Sequence, residues 1–378
     1  MRTVIVGQRC STHTPRLAGY YELFGRRSDT YMMTGQPQLS HFAIEGCRAA
    51  DAHAHGAALT GWEPDYAPVR SGPFNSIMNV AWLGPLQLVY ERVENPFSYR
   101  GVAWRGSRFF LSLLPGSAEV FYENRPVGTG GILAHRWNEF QRMSCGRRLE
   151  LVGVAIDERA LERHCAQIPR LDAVVNAFRP IYHSPEPALL EALIRTIKGV
   201  IDDLLQRPEM LHQPRIREGY QKAVLDSLAN VFVDAGADSM KLPAPSTRAF
   251  IVDRALDYLE PRLADAISIG DICASVRVCP RALSYAFARV LGTSPKSYLL
   301  TARLNRVRRE LRDPRTHVSI ESVAMRWGFA HMGRFAQYYR AAFGERPSET
   351  HGARVQRRAT PDSNSLKAAC GTGAQLQL

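Results

Sequence analysis

Hydrophobic positions between about residues 73 and 157 come in short runs that are separated by glycine, proline and asparagine. One run covers residues 109–114 and ends at Pro115, and another covers residues 149–156. Short apolar runs between turn residues are typical of β-strands in a barrel or sandwich. The pattern predicts a small β-barrel-like domain in this region. Residues 1–66 show no sustained periodicity and are predicted to be irregular.

The hydrophobic period then changes from that of strands to that of helices. Apolar side chains recur every three or four residues over 188–206 and again over 215–235. This predicts an antiparallel helix pair joined by residues 207–214. Two interpretations are open for its apolar face, a dimer interface or packing against the β-domain. The pair and the strands together form the predicted sensing and dimerisation domain, residues 67–240.

The last quarter of the chain repeats one pattern twice: a short apolar helix, a tight turn and a second helix with a polar outer face. The first copy covers residues 269–287 and the second covers 320–335, with a long helix predicted over 295–311 between them. Such a unit places one helix in the major groove of DNA. Two copies in tandem favour a transcription regulator over an enzyme, and no catalytic residues are predicted.

Individual residues mark where these helices begin and end. Pro280 suits the first position of a helix, because its missing N–H group would have no partner there. Cys279 stands where a serine N-cap is expected. Gly292 and Gly344 are predicted to terminate helices, and Gly328 is predicted to form a turn with positive φ.

A further amphipathic helix precedes the first copy, after a proline-containing linker at residues 241–246. Five apolar side chains of this helix are predicted to face the core. They are Phe250, Ile251, Ala255, Leu256 and Leu259. With this helix, the predicted DNA-binding domain spans residues 247–352. The polar residues 353–378 lack periodicity and are predicted to be a disordered tail.

Charge strengthens the nucleic-acid interpretation. The chain of 378 residues carries a formal net charge of +12, and the 18 basic and 10 acidic residues of 247–354 contribute +8 of it. Basic charge concentrated on one domain is typical of nucleic-acid binding. Seven scattered cysteines without a CxxC pair favour a reducing compartment. With neither a signal-peptide pattern nor a long apolar run, a cytoplasmic protein that does not enter the membrane is expected.

A set of apolar, glycine, proline and basic residues stands at fixed spacing through both copies and the helix between them. They are Arg281, Leu283, Phe287, Gly292, Ser294, Pro295, Tyr298, Leu299, Arg303, Leu304, Gly328, Phe329, His331, Gly333, Arg334, Phe335, Ala336, Tyr339, Arg340, Phe343, Gly344, Pro347 and Ser348. On these residues, the C-terminal sequence resembles the AraC/XylS family of bacterial regulators over roughly residues 247–352. More distantly, the helix pair and its loop resemble those of the ethanolamine-operon activator of enteric bacteria.

The family resemblance implies double-stranded DNA as the partner, with the two recognition helices in successive major-groove segments. Arginine pairs well with guanine and glutamine with adenine, whereas helix N-termini and the arginines of the long helix are expected to hold phosphates. The candidate DNA-binding residues are Arg281, Ser284, Tyr285, Arg306, His331, Met332, Arg334 and Gln337.

The resulting hypothesis is a sequence-specific activator that responds to a small-molecule effector and contacts RNA polymerase, with a homodimer as one option for its assembly. One alternative keeps the DNA-binding domain but replaces the effector with a protein partner. A remote alternative is a DNA-repair alkyltransferase, which would need clustered cysteines. The sequence names no effector, operator, sign of regulation or oligomeric state.

Other patterns give no chemistry. The pair His53 and His55 is a weak metal signal, and residues 128–131 lack the lysine of a phosphate-binding loop and are predicted to be a hairpin turn. No cofactor and no metal are predicted.

Overall fold

The structure is a computed structural model that describes residues 41–138, 141–165, 181–232, 242–313 and 318–352. Its N-terminal part contains two antiparallel sheets. The strands are β1 (Phe42–Ala49), β2 (Glu63–Pro68), β3 (Ser76–Leu83), β4 (Leu86–Val93), β5 (Phe97–Val102), β6 (Ser107–Leu113), β7 (Val120–Tyr122), β8 (Arg125–Val127), β9 (Ile132–Arg136), β10 (Gln141–Cys145), β11 (Leu149–Asp157) and β12 (Ile181–His183). The larger sheet has the order β1-β3-β4-β11-β6-β9-β12, and the smaller has the order β2-β5-β10-β7-β8.

The helices divide between the two halves of the chain. Those of the N-terminal half are α1 (Ala52–Ala58), α2 (Glu158–Cys165), α3 (Pro187–Gln206) and α4 (Pro214–Phe232), with a 3-10 turn at Pro208–His212. Those of the C-terminal half are α5 (Thr247–Leu259), α6 (Ile269–Val276), α7 (Pro280–Val290), α8 (Pro295–Arg312), α9 (Ile320–Arg326) and α10 (Met332–Phe343), with a 3-10 turn at Glu260–Arg262.

The larger sheet is buried on both faces, which explains why its strands are so rich in apolar residues. Val80 pairs with Val89 and both side chains face the smaller sheet. The next pair, Ala81 and Leu88, belongs to a second core that contains the apolar side chains of α3 and α4. Since successive side chains of a strand point to opposite faces, this alternation fills two cores from one sheet.

The sheets correct several sequence predictions. Among the described residues both sheets are open, with β1 and β12 at the edges of the larger one, so the barrel-like form is not confirmed. The irregular segment predicted for 1–66 is wrong for residues 42–66, which contribute β1, α1 and most of β2, while residues 1–40 lie outside the described residues. The hairpin predicted at 128–131 is also wrong, because β8 and β9 belong to different sheets.

The predicted helix pair is confirmed as α3 and α4. Buried side chains of both helices, such as Leu193, Ile197 and Leu228, pack in one core with Leu83 and Leu88 of the larger sheet. This arrangement corresponds to the second interpretation of the apolar face, packing against the β-domain. A second copy of the chain would therefore have to bind through another surface.

The C-terminal half contains two helical cores, one for each helix-turn-helix copy. Leu283 and Phe287 of α7 pack with Leu256 of α5 in the first core, and Phe335 and Tyr339 of α10 lie in the second. Phe250 departs from the prediction, since 54% of its surface is exposed and the neighbouring Ala249 and Val252 are buried instead. The other predicted core positions are confirmed, since Ala255, Leu256 and Leu259 are fully buried and Ile251 packs against the same core.

The connecting helix α8 joins the two units rigidly. The Arg303 guanidinium donates to the carbonyl oxygens of Leu263 at 2.9 Å and Asp265 at 2.6 Å. The side chain of Trp327 packs against both cores, and its Nε1 donates to Glu310 at 2.8 Å. These contacts fix one helix-turn-helix unit relative to the other.

Candidate nucleic-acid interface

The first recognition helix, α7, has a buried face and an open face. Leu283 and Phe287 are fully buried, whereas Arg281, Ser284 and Tyr285 are exposed, with Tyr285 at 52%. Residues at i, i+3 and i+4 lie on one side of a helix. The sequence prediction for the outward side of α7 is therefore consistent with the structure.

The second recognition helix, α10, presents a smaller polar face than expected. Arg334 and Gln337 are exposed, and His331 is exposed at the N-cap position without a side-chain capping bond. Met332 is half-buried and packs against the second core, so its side chain faces inward more than predicted.

The N-termini of the two recognition helices differ from those of the other four helices in this half. Serine side chains at 246, 268, 294 and 319 each accept a backbone N–H at the start of α5, α6, α8 and α9. Cys279 and His331, the N-caps of α7 and α10, make no such bond. The first-turn N–H groups of the recognition helices are thus left for another acceptor, such as a phosphate.

Three arginines of the connecting helix, which were expected to hold phosphates, form ion pairs within the protein. Arg308 forms an ion pair with Glu345 at 2.8 Å and lies over the Phe343 ring. Arg309 and Arg312 reach carboxylates of the N-terminal half, at 3.4 Å from Asp65 and 2.9 Å from Asp51.

Arg303 and Arg306 complete this group. The guanidinium of Arg303 binds backbone carbonyls, as described above. Arg306 is half-buried, and its charge counteracts the burial that raises the pKa of Glu260. Arg303, Arg308, Arg309 and Arg312 therefore make contacts within the protein, and Arg306 stays a predicted DNA-binding residue.

A cluster of charges joins the smaller sheet to α5. The guanidinium of Arg142 lies 2.8 Å from Asp257 and 3.6 Å from Asp253, and Arg100 pairs with Glu260 and with Asp257 at 3.6 Å. Arg100 is only 5% exposed, so these carboxylates compensate the positive charge that it buries.

Burial dominates the acid–base behaviour of this cluster. It raises the pKa of Asp253 to about 6, against the opposing charges of Arg142 and Arg100. It also raises the pKa of Glu123 to about 7, although Glu123 accepts the backbone N–H of Arg142 at 2.8 Å. The interface between the two halves therefore holds carboxyl groups that titrate near neutral pH.

Backbone contacts bring the same two halves close together. A Cβ added to Gly292, just after α7, would lie 2.6 Å from the carbonyl oxygen of Gly146 in the turn after β10. At the second unit, the Gly72 N–H donates to the carbonyl oxygen of Ala342 at 3.2 Å. The N-terminal half thus contacts both helix-turn-helix units while the outward faces of α7 and α10 stay exposed.

Sequence reasoning missed Arg248, which is exposed on α5 and lies beside the first recognition helix. Its Cζ atom lies 5.1 Å from the centroid of the Tyr285 ring. Its position two residues after the Ser246 cap places it in the first turn of a helix. That position alone gave no sign that it would meet Tyr285, a residue 37 positions away.

The weak metal signal of His53 and His55 has a different explanation for the second histidine. His55 is fully buried, and its Nε2 lies 3.0 Å from a carboxylate oxygen of Glu91. Within the described ranges, no three His, Cys, Asp or Glu side chains are grouped as a metal site would require. The helices of those ranges also include none long and apolar enough to cross a bilayer.

Two helix-turn-helix units with exposed polar recognition faces, joined by one rigid helix, define a DNA-binding domain. A family model described as "Helix-turn-helix domain" matches residues 272–353. The XylDLEGF operon transcriptional activator of Pseudomonas putida is 32% identical over 163 residues, which are 43% of this chain and 48% of that protein. The C-terminal domain is a helix-turn-helix domain of the AraC/XylS type.

Other relatives match about a quarter of this chain. The probable thc operon regulatory protein of Rhodococcus erythropolis is 38% identical over 101 residues, or 26% of this chain and 30% of that protein. A crystal structure of a transcriptional regulator with an AraC-type DNA-binding domain, from Chromobacterium violaceum, is 33% identical and covers 28% of this chain and 93% of its own, with a TM-score of 0.27. The chain spans about half the length of the first curated relatives it matches.

Proposed function

We propose that the whole chain is a sequence-specific transcriptional regulator that activates its target genes when an effector reaches the N-terminal domain. The observation that carries this proposal is the free outward faces of α7 and α10. Arg281 and Tyr285 on one helix, and Arg334 and Gln337 on the other, stay exposed while the N-terminal half packs against both units. Each recognition helix can therefore enter a major groove without removal of the N-terminal domain.

Base reading is assigned to the side chains that can make bidentate contacts. Arg281 and Arg334 suit guanine, Gln337 suits adenine, and Ser284 is less selective. Tyr285 suits a thymine methyl group or a phosphate. His331, at the open N-terminus of α10, is assigned to the phosphate backbone.

Effector control is supported by the contacts between the two halves. Through the charge cluster around Arg142 and the ion pairs of Arg309 and Arg312, the N-terminal domain directly contacts the DNA-binding domain. A ligand that binds one arrangement of this interface better than another would shift its population. RNA polymerase is the further partner that an activator requires, and the cytoplasm is where such a regulator would act.

The DNA-binding part of the proposal is tested by selection from a random duplex library with the full-length protein. Footprints on the selected duplex at two salt concentrations should protect two adjacent major-groove segments and weaken steeply with salt. Protection of one segment only, or no enrichment of any sequence, would overturn the two-unit interpretation.

The effector and protein-partner alternatives are separated by fractionating a cell extract. Transcription from the selected duplex is measured with RNA polymerase, the purified protein and either the small-molecule filtrate or the retained macromolecules. Stimulation by the filtrate supports a small-molecule effector. Stimulation by the retained fraction alone favours a protein partner.

A further inference from the structure

The first turn of α5 places a cation at the edge of the first recognition face. Arg248 is exposed, and its guanidinium carbon lies 5.1 Å from the ring centroid of Tyr285, which is itself half-exposed on α7. Within the described part of the chain, no carboxylate forms an ion pair with Arg248. In this respect it differs from Arg308, Arg309 and Arg312, whose charges are matched by acids.

The geometry leaves the hydrogen-bonding capacity of Arg248 unused. A guanidinium that stacks on an aromatic face is held by the ring quadrupole and keeps its N–H donors. Five donors in a planar fork match the oxygens of a phosphate group. An exposed contact of this kind contributes little to stability, so stabilisation of the fold does not account for the position of Arg248.

The start of α5 is also anchored to the N-terminal half. The Ser246 N–H donates to the carbonyl oxygen of Asn124 at 2.7 Å, and Arg125 donates to the carbonyl oxygen of Pro243. The turn between β7 and β8 therefore holds the backbone just ahead of Arg248. This fixes where the guanidinium can reach along the outward side of α7.

From this placement, which rests on the proposed DNA-binding function, we infer that Arg248 contacts a DNA phosphate beside the groove entered by α7. Arg248 contacts the backbone of the duplex, and Arg281 on α7 faces the bases. The contact is independent of sequence, because phosphates are the same at every base step.

The test uses the full-length protein and the duplex that wild type selects from a random library, beside a scrambled duplex of equal length and composition. Arg248→Ala should weaken binding to both duplexes by a similar factor, about three- to tenfold at low salt. The slope of log K against log salt should become shallower by about one, as expected for the loss of one phosphate contact. Arg248→Lys should keep the slope and recover part of the affinity.

A matched control is Arg254→Ala, which removes an exposed arginine from another side of the same helix. It should leave the affinity and the salt slope unchanged. Thermal unfolding of each variant identifies any loss that comes from misfolding, and in that case Arg248→Lys carries the test.

The outcomes separate this inference from the proposed function. If wild type selects no duplex, both fail together. If wild type binds and Arg248→Ala keeps the wild-type salt slope and affinity, the phosphate contact is wrong and the proposed function stands. A loss confined to the selected duplex, with altered preference at one base, would make Arg248 a base reader and would also overturn the phosphate assignment.

Discussion

Single residues on the outer sides of α7 and α10 are proposed to carry the sequence specificity of this domain, and helical periodicity predicted their exposure. Leu283 and Phe335 point inward because they are the apolar members of each pattern, and Arg281 and Arg334 point outward by the same rule. Met332 does not follow this rule, because it was predicted to face outward and is half-buried. It stands at the first position of α10, where the side chain can still reach the core of its own unit.

Replacement of Arg334 by alanine is expected to weaken binding to the selected duplex by about 1–3 kcal/mol and to relax the preference at one base position. The reason is the loss of a bidentate contact to guanine. Competition assays against single-base variants of the duplex measure both effects. Arg340→Ala, an exposed arginine later in the same helix, is the control and should change neither. An equal loss on all sequences would assign Arg334 to the phosphate backbone instead.

Replacement of Gly328 by alanine is expected to destabilise the second unit by about 1–2 kcal/mol, because its φ of 83° is unfavourable for a residue with a Cβ atom. The added Cβ would also lie 3.0 Å from the Arg303 guanidinium. Gly333→Ala is the opposite control, since it adds a methyl group to an exposed helical position with open space around it and should stabilise the protein. Denaturant titration of the three proteins gives the comparison, and equal midpoints would contradict the prediction.

At the scale of elements, helix boundaries were well predicted because capping is local. The structure gives α6 a capping box between Ser268 and Asp271, and α7 begins at Pro280 as expected. The strands at 107–113 and 149–157 also lie where their apolar runs predicted. Strand partners were beyond such reasoning, since β6 pairs with β9 and β11 across intervening turns and strands.

Introduction of a serine at the uncapped start of α7, Cys279→Ser, is expected to stabilise the first unit by about 0.5–1 kcal/mol. Cys279 has extended backbone angles of φ −75° and ψ 159°, which suit an N-cap, but its side chain makes no capping bond. Ser268→Ala, which removes the cap of α6, should cost about 1 kcal/mol and calibrates the scale. The shift in unfolding midpoint is the measurement, and a Cys279→Ser protein less stable than wild type would contradict the cap assignment.

The capping serine should also compete with DNA. If phosphate oxygens accept the first-turn N–H groups of α7, a side chain that already occupies one of them should reduce affinity while it increases stability. Measurement of duplex binding by the same variant therefore separates the two roles of this helix end. Unchanged affinity would argue against a phosphate at the start of α7.

At the scale of the whole molecule, the charge cluster between the smaller sheet and α5 links the two halves. Arg100 and Arg142 come from neighbouring strands, and their carboxylate partners lie more than 100 residues further along the chain. No sequence pattern in the strands or in α5 predicts this pairing. These charged side chains become neighbours because the outer face of the smaller sheet packs against the polar side of α5.

Replacement of Glu123 by glutamine is expected to make the protein more stable at pH 8 and nearly unchanged at pH 4. Burial raises the pKa of Glu123 to about 7 from the 4.5 of a free side chain. The stability that comes from its protonation is complete below about pH 4.5 and is lost as the pH rises through about 7. Glutamine stays neutral and keeps an oxygen to accept the N–H of Arg142.

Thermal unfolding across this pH range measures the effect, which should reach about 1–3 kcal/mol at pH 8. The other charges that face Glu123 are those of Arg142, Arg100 and Asp253, and they are the same in both proteins. Parallel stability curves for wild type and Glu123→Gln would show that Glu123 does not titrate near neutral pH.

The sequence by itself determined the two helix-turn-helix units, their connecting helix and the outward positions on the recognition helices, with the exception of Met332. All of these depend on periodicity, caps and turn residues within about 20 positions of one another. Tertiary structure alone decided which strands pair in each of the two sheets, that Phe250 is exposed, and that Arg309 and Arg312 bind acids of the N-terminal half. The physical reason is that burial and charge pairing depend on residues brought together from distant parts of the chain, and local sequence patterns do not specify which distant residues these are.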